Sequence, residues 1–143
     1  MRRLTLEEIR ANGAALVEAL NARDFDAFVG YDFFDEEHSE FNSAIAASEG
    51  ETYLGVEGLR AWARNVDETW TDFRLELLRI EPAADEDRVV VEMRATGTAR
   101  ASGVPLDIHT GQVWHWDERG VFARNDSFSD PREAFEAAGV PYD

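Results

Sequence analysis

Most of the residues that could do chemistry in this chain lie on two stretches, "EEHSEFNSA" (37–44) and "LDIHTGQVWHW" (106–116). In the second, strand alternation puts Leu106, Ile108, Thr110, Gln112, Trp114 and Trp116 on one face. A primary amide placed among tryptophans costs several kcal/mol unless it finds a partner (about 2–7), so Gln112 is read as a binding group. Asp107 with His109, and His38 with Glu40, have the spacing of acid–base dyads. His109 and His115 share the other face of the strand. Six residues separate them, roughly 20 Å at about 3.3 Å per residue, too far for one ion. No third ligand stands near Asp107 and His109, so no metal site is read. A serine nucleophile would need a G-x-S-x-G elbow, which is absent, and no glycine-rich phosphate loop suggests a nucleotide. The expected cofactor set is empty.

Composition narrows the classes further. The chain has 143 residues, a length that suits one domain, read as 1–143. It has no cysteine, hence no disulfide, thiol nucleophile or thiolate metal site. All fourteen basic residues are arginine, which rules out a lysine Schiff base. A net charge of −16 repels phosphate backbones and anionic lipid. Nucleic acid and membrane are therefore poor partners. The start, MRRLTLEEIR, lacks the apolar run of a signal peptide, and a cytoplasmic location is the default expectation.

The elements that must position these residues follow from periodicity and caps. Thr5 and Glu8 form a capping box for a helix over 5–21. A short helix is expected near 24–30, a strand over 37–44, and a loop through "ASEGETYLG". Leu59, Trp62, Ala63, Val66 and Trp70 form one stripe, which predicts a helix over 56–70. Strands are predicted over 73–82, 88–99, 106–116 and 121–129, joined by short turns that favour antiparallel neighbours. Asp130 caps a last helix, with Pro131 at its first position and Gly139 past its end. The order gives an α+β fold with one curved antiparallel sheet and its helices on one face.

Four stretches in this order, "EALNARDFDAF", "GETYLGVEGLRAW", "SGVPLDIHTGQVWHW" and "FSDPREAFEAAG", make the chain resemble the nuclear transport factor 2-like superfamily, in its SnoaL-like branch of polyketide cyclases and ketosteroid isomerase-like proteins. The resemblance implies a cone-shaped curved sheet wrapped by N-terminal helices around a central pocket, usually in a homodimer. It turns Gln112 into that pocket, at a position where isomerases and cyclases carry a catalytic aspartate. An amide donates hydrogen bonds but transfers no proton. The isomerase tyrosine falls on Leu16, and its general base falls near Glu40 and Phe41, which makes Glu40 the candidate catalytic residue. The arginine and two aspartates of the epoxide hydrolases would be Arg94, Asp107 and Asp126, whose parity places them on the outer face. Alignment on the Gly120 turn brings Asn125 inward beside Gln112. The expected ligand-binding set is Gln112, Asn125, Trp114, Trp116, Tyr53 and Trp62.

Two functions follow from this reading. The first is a pocket protein for a small apolar or carbonyl-bearing molecule, in its enzymatic form a cofactor-independent isomerase, cyclase or hydrolase. The second is a non-catalytic dimerisation or ligand-binding domain whose pocket is vestigial. The outer sheet face, with Val90, Val113, Phe122 and Phe128 among Glu92, Arg94, His109, His115, Arg124 and Asp126, reads as a homodimer interface: an apolar centre with a charged rim.

Overall fold

Local sequence signals start each helix. The computed structural model describes residues 4–43, 51–85 and 87–142. Thr5 Oγ1 accepts from the Glu8 amide at 3.1 Å, and Glu8 Oε1 accepts from the Thr5 amide at 3.0 Å. This reciprocal box opens α1 (Leu6–Asn21). Asp24 caps α2 (Phe25–Val29). Strands β1 (Glu40–Asn42) and β2 (Thr52–Leu54) follow, then α3 (Gly55–Thr69). Gly55 has φ +70°, and a Cβ there would lie 2.1 Å from the Glu36 carbonyl oxygen, so only glycine fits this entry to α3. Four long strands complete the sheet: β3 (Trp70–Pro82), β4 (Arg88–Ala99), β5 (Pro105–Trp116) and β6 (Phe122–Phe128). The chain ends in α4 (Pro131–Ala138), capped by Asp130 and stopped by Gly139 in the left-handed conformation.

Among the described residues the strands form one six-stranded sheet in the order β2-β1-β6-β5-β4-β3. The pairs are antiparallel except β1 with β6, which meet in parallel at the single pair Glu40 and Arg124. The fold is the expected α+β cone. On its concave side, α1, α2 and α3 close a core that includes Leu20, Phe28, Ala63, Val66, Phe73 and Val91. No helix among the described residues is long and apolar enough to cross a membrane.

Four expectations need correction. The strand expected over 37–44 is only Glu40–Asn42, because the amides of Glu37 and His38 donate to Asp35 Oδ1 and hold that stretch in a turn; residue 44 lies outside the described residues. Part of the expected loop, Thr52–Leu54, is instead a strand paired with β1.

The helices do not all lie on one face. α4 packs on the convex side, where Val90, Val113, Ala134, Phe135 and Ala138 form a second buried cluster. Gly111 permits this approach, since a Cβ there would lie 2.6 Å from the Ala134 Cβ. Val90 and Val113, two of the apolar residues expected at a dimer interface, are therefore covered within the chain. The last correction is Phe122, which lies on the concave side. A register shift between His115 and Trp116 changes the strand's parity, so Phe122 and Asn125 both face inward.

Candidate functional site

The concave face of β5 and the helices above it enclose a cavity of about 110 Å³. Alternation delivers Thr110, Gln112, Trp114 and Trp116 to its wall, and the apolar stripe of α1 delivers Ile9, Asn12, Gly13 and Leu16 opposite. Phe34, Phe41 and Phe122 pack edge-to-face and stacked at one end, with centroids 5.3–5.7 Å apart. Among the described lining residues there is no Asp, Glu, His, Arg or Tyr. The wall is apolar, with six neutral polar side chains set into it: Asn12, Asn42, Ser43, Thr110, Gln112 and Asn125.

These six divide by their partners. Asn125, which is buried, is tied to β1. Its Oδ1 accepts from the Asn42 amide at 2.7 Å, and its Nδ2 donates to the Asn42 carbonyl at 2.8 Å and to Ser127 Oγ at 3.1 Å. Asn42 Nδ2 donates back to the Asn125 carbonyl at 2.7 Å, and Thr52 Oγ1 donates to Asn42 Oδ1. A side-chain amide thus replaces the ladder that β1 and β6 barely make. Ser43 Oγ accepts from Trp62 Nε1 at 3.1 Å. Gln112 Oε1 accepts from Trp114 Nε1 at 2.8 Å, while the Gln112 N–H₂ has no partner among the described residues. Asn12 and Thr110 likewise make no side-chain hydrogen bond there. Three hydrogen-bonding groups, from α1 and β5, therefore face the cavity without a protein partner.

The SnoaL-like domain family matches residues 14–125, most of the chain, which includes the β5 wall of this cavity and Leu16 of the α1 wall. The chain belongs to that family. Among solved structures, TsrD from Streptomyces laurentii is 20% identical, with a TM-score of 0.68 over 97% of this chain and 100% of that one. A ketosteroid isomerase-like protein from Catenulispora acidiphila, in complex with trimethylamine, is 14% identical, with a TM-score of 0.66 over 91% of this chain and 93% of that one. The epoxide hydrolase/cyclase-like enzyme SalBIII, of pyran ring formation in the polyether salinomycin, is 17% identical, with a TM-score of 0.66 over 87% and 92%. At these identities the likeness is one of fold. No curated protein matches the chain.

The cavity of this SnoaL-like chain gathers some of the expected residues and leaves others out. Gln112, Trp114, Trp116, Trp62 and Asn125 line it. Gln112 and Asn125 do not bond to each other, because Asn42 takes both ends of the Asn125 amide. Glu40 is not among the lining residues. Its neighbour Phe41 takes the inward position on β1, so Glu40 faces the other way and is not placed to act as the base. Tyr53, half-buried on β2, also lies outside the lining and donates to Glu51 Oε2 at 2.8 Å.

The expected dyads lie elsewhere. His38 Nδ1 meets Asp35 at 3.2 Å in an exposed turn, rather than Glu40. Asp107 pairs with Arg94 at 2.8 and 2.9 Å, and His109 faces Glu92 at 3.6 Å, all on the convex face. Asn12 is a site residue that the reading of the sequence passed over. Its signal is visible: Ile9, Asn12, Gly13 and Leu16 share one helical stripe, and Asn12 is its polar member.

Proposed function

We propose that this chain binds one small, uncharged, mostly apolar molecule in the cone, and does so without proton transfer from its own side chains. The observation that carries this reading is the cavity wall: no ionisable side chain among the described residues, and three neutral polar groups without protein partners. General acid–base chemistry needs a group that can gain or lose a proton near neutral pH, and amides and hydroxyls do not. An ionised ligand would lose its hydration and meet no counter-charge.

Size restricts the ligand further. At about 110 Å³ the cavity lies below the roughly 300–1,000 Å³ of drug-sized sites. It is closer to the engineered apolar cavity of about 150 Å³ that holds benzene, so a single ring or a short branched chain suits it. The Catenulispora acidiphila protein of similar fold is in complex with trimethylamine, an amine rather than a neutral ligand, which supports the scale of the ligand alone. A space that side chains leave open favours a working site over a vestigial one.

A panel of benzyl alcohol, toluene, benzoate and benzylamine at pH 7 tests the proposal. Binding is read by tryptophan emission, since Trp62, Trp114 and Trp116 all line the wall. The neutral compounds are expected to perturb emission and raise Tm, with the charged ones at least tenfold weaker. Preferential binding of benzoate or benzylamine would overturn the assignment, and so would no binding of any of the four.

A further inference from the structure

Gln112 is held in one orientation, and that orientation fixes what the cavity can recognise. The indole N–H of Trp114 only donates, and it lies 2.8 Å from Gln112 Oε1. Turning the carboxamide over would set N–H₂ against N–H, so this one bond decides which end of the amide is free. The acceptor end is taken by Trp114, and the two N–H bonds remain without a partner among the described residues. Leu16, Met93, Ala95 and Trp114 belong to the same, mostly apolar, cavity wall, and across the sheet Gln112 pairs with Val91 on β4 and Ser127 on β6. An amide N–H without a protein partner in a mostly apolar cavity is a donor that a ligand's acceptor can satisfy.

We propose that the ligand carries a hydrogen-bond acceptor, a ketone, ester or cyclic ether oxygen, which takes an N–H of Gln112. Trp114 is the positioning residue that keeps the donor end of the amide turned toward it. This rests on the neutral-ligand reading above and adds the polarity of the ligand's one polar group. Glutamine holds the oxygen without protonating it. The Thr110 hydroxyl stands two residues away on the same face, roughly 7 Å along the strand, and is the nearest second contact on β5 for the same molecule.

Acetophenone and α-methylstyrene test this directly, because they have nearly the same shape and differ in a carbonyl oxygen against a methylene. The wild-type chain is expected to bind acetophenone about 3- to 10-fold more tightly, the effect of one neutral hydrogen bond. In Gln112→Leu that ratio falls to about one while α-methylstyrene still binds. In Trp114→Phe the Gln112 oxygen is released and the amide can turn, so phenol, a donor, gains on acetophenone relative to wild type. A cavity that merely loosened would weaken both ligands and leave their ratio unchanged. Equal binding of the two isosteres by the wild type overturns the proposal, as does a preference that survives Gln112→Leu or a phenol-to-acetophenone ratio unmoved in Trp114→Phe. If neither isostere binds, the neutral-ligand reading itself falls, and this inference falls with it.

Discussion

On the concave side of β5, Thr110 and Gln112 stand in an apolar wall with hydrogen-bonding groups unpartnered. On the convex side of the same strand the polar groups are paired. Asp107 holds Arg94 in a two-point bridge, His115 Nε2 lies 2.7 Å from Asp126 Oδ2, and Arg124 adds a second bond to Asp126 at 3.0 Å. The buried Glu92 accepts from the Tyr142 hydroxyl at 2.7 Å, a bond that raises the tyrosine's pKa above its usual value. Arg79 donates to the Tyr142 carbonyl and covers the Phe135 ring at 4.5 Å. One face of the sheet carries charge and satisfies it within the chain, whereas the other carries no charge among its described lining residues and leaves neutral groups open. Polar groups that face a cavity without a protein partner are where an external partner is expected, although the buried Asn65 Oδ1, Trp70 Nε1 and Trp116 Nε1 also lack partners among the described residues.

The contrast can be attacked most strongly at α4. Phe135 is fully buried between the helix and the convex face. Phe135→Ala is expected to cost about 3–5 kcal/mol in urea denaturation, with ligand affinity of the folded protein unchanged. A loss below about 1 kcal/mol would mean that α4 does not dock as described.

The next test sets two polar cavity residues against each other. Asn125→Ala removes the amide bonded to both main-chain groups of Asn42, whose carbonyl keeps Ser127 Oγ, and should destabilise by about 1–3 kcal/mol. Thr110→Val removes a buried hydroxyl with no protein partner and should be neutral or stabilising. Equal losses for the two, measured by denaturation, would erase the distinction between a structural and an open polar group.

The smallest effect concerns the convex charges. Partial burial raises the Asp126 carboxyl, but its bonds to Arg124 and His115 outweigh that and hold it below the usual carboxylate range. A depressed folded-state pKa contributes stability above the unfolded value near 4, and the contribution is lost as pH falls through the lower folded value. With the carboxylate 38% exposed, the effect is screened to under about 1 kcal/mol. Asp126→Asn should therefore lower stability slightly at pH 7, and the difference from wild type should shrink toward pH 3. A deficit that persists undiminished at pH 3 would point away from charge as its origin.

Periodicity and caps made most of the frame legible. The Thr5–Glu8 box, the 56–70 stripe and the Asp130–Pro131 start with its Gly139 stop all lie where expected, because each depends on residues three or four apart. The alternation that turned Gln112 inward was equally local. What escaped was non-local. Asn125 finds its partner 83 positions away in Asn42, and nothing near it in the sequence announces that. The bulge beside Trp116 reverses parity, which put Phe122 on the wrong face. Val90 and Val113 were recognised as apolar on the outer face, but their cover comes from the chain's own last helix. Gly111, the position that admits it, looks in sequence like any other strand glycine. Strand β2 is three residues long and largely exposed, too short to carry a pattern.

The central claim is that the concave site acts through neutral groups alone. Calorimetric titration of the wild-type chain with acetophenone across pH 5 to 9 tests it most directly. The structure predicts one affinity throughout, with no proton taken up or released on binding in buffers of different ionisation enthalpy. An affinity that changes tenfold across that range in the folded protein, or a heat that varies with buffer, would place a titrating side chain in the site and contradict the account.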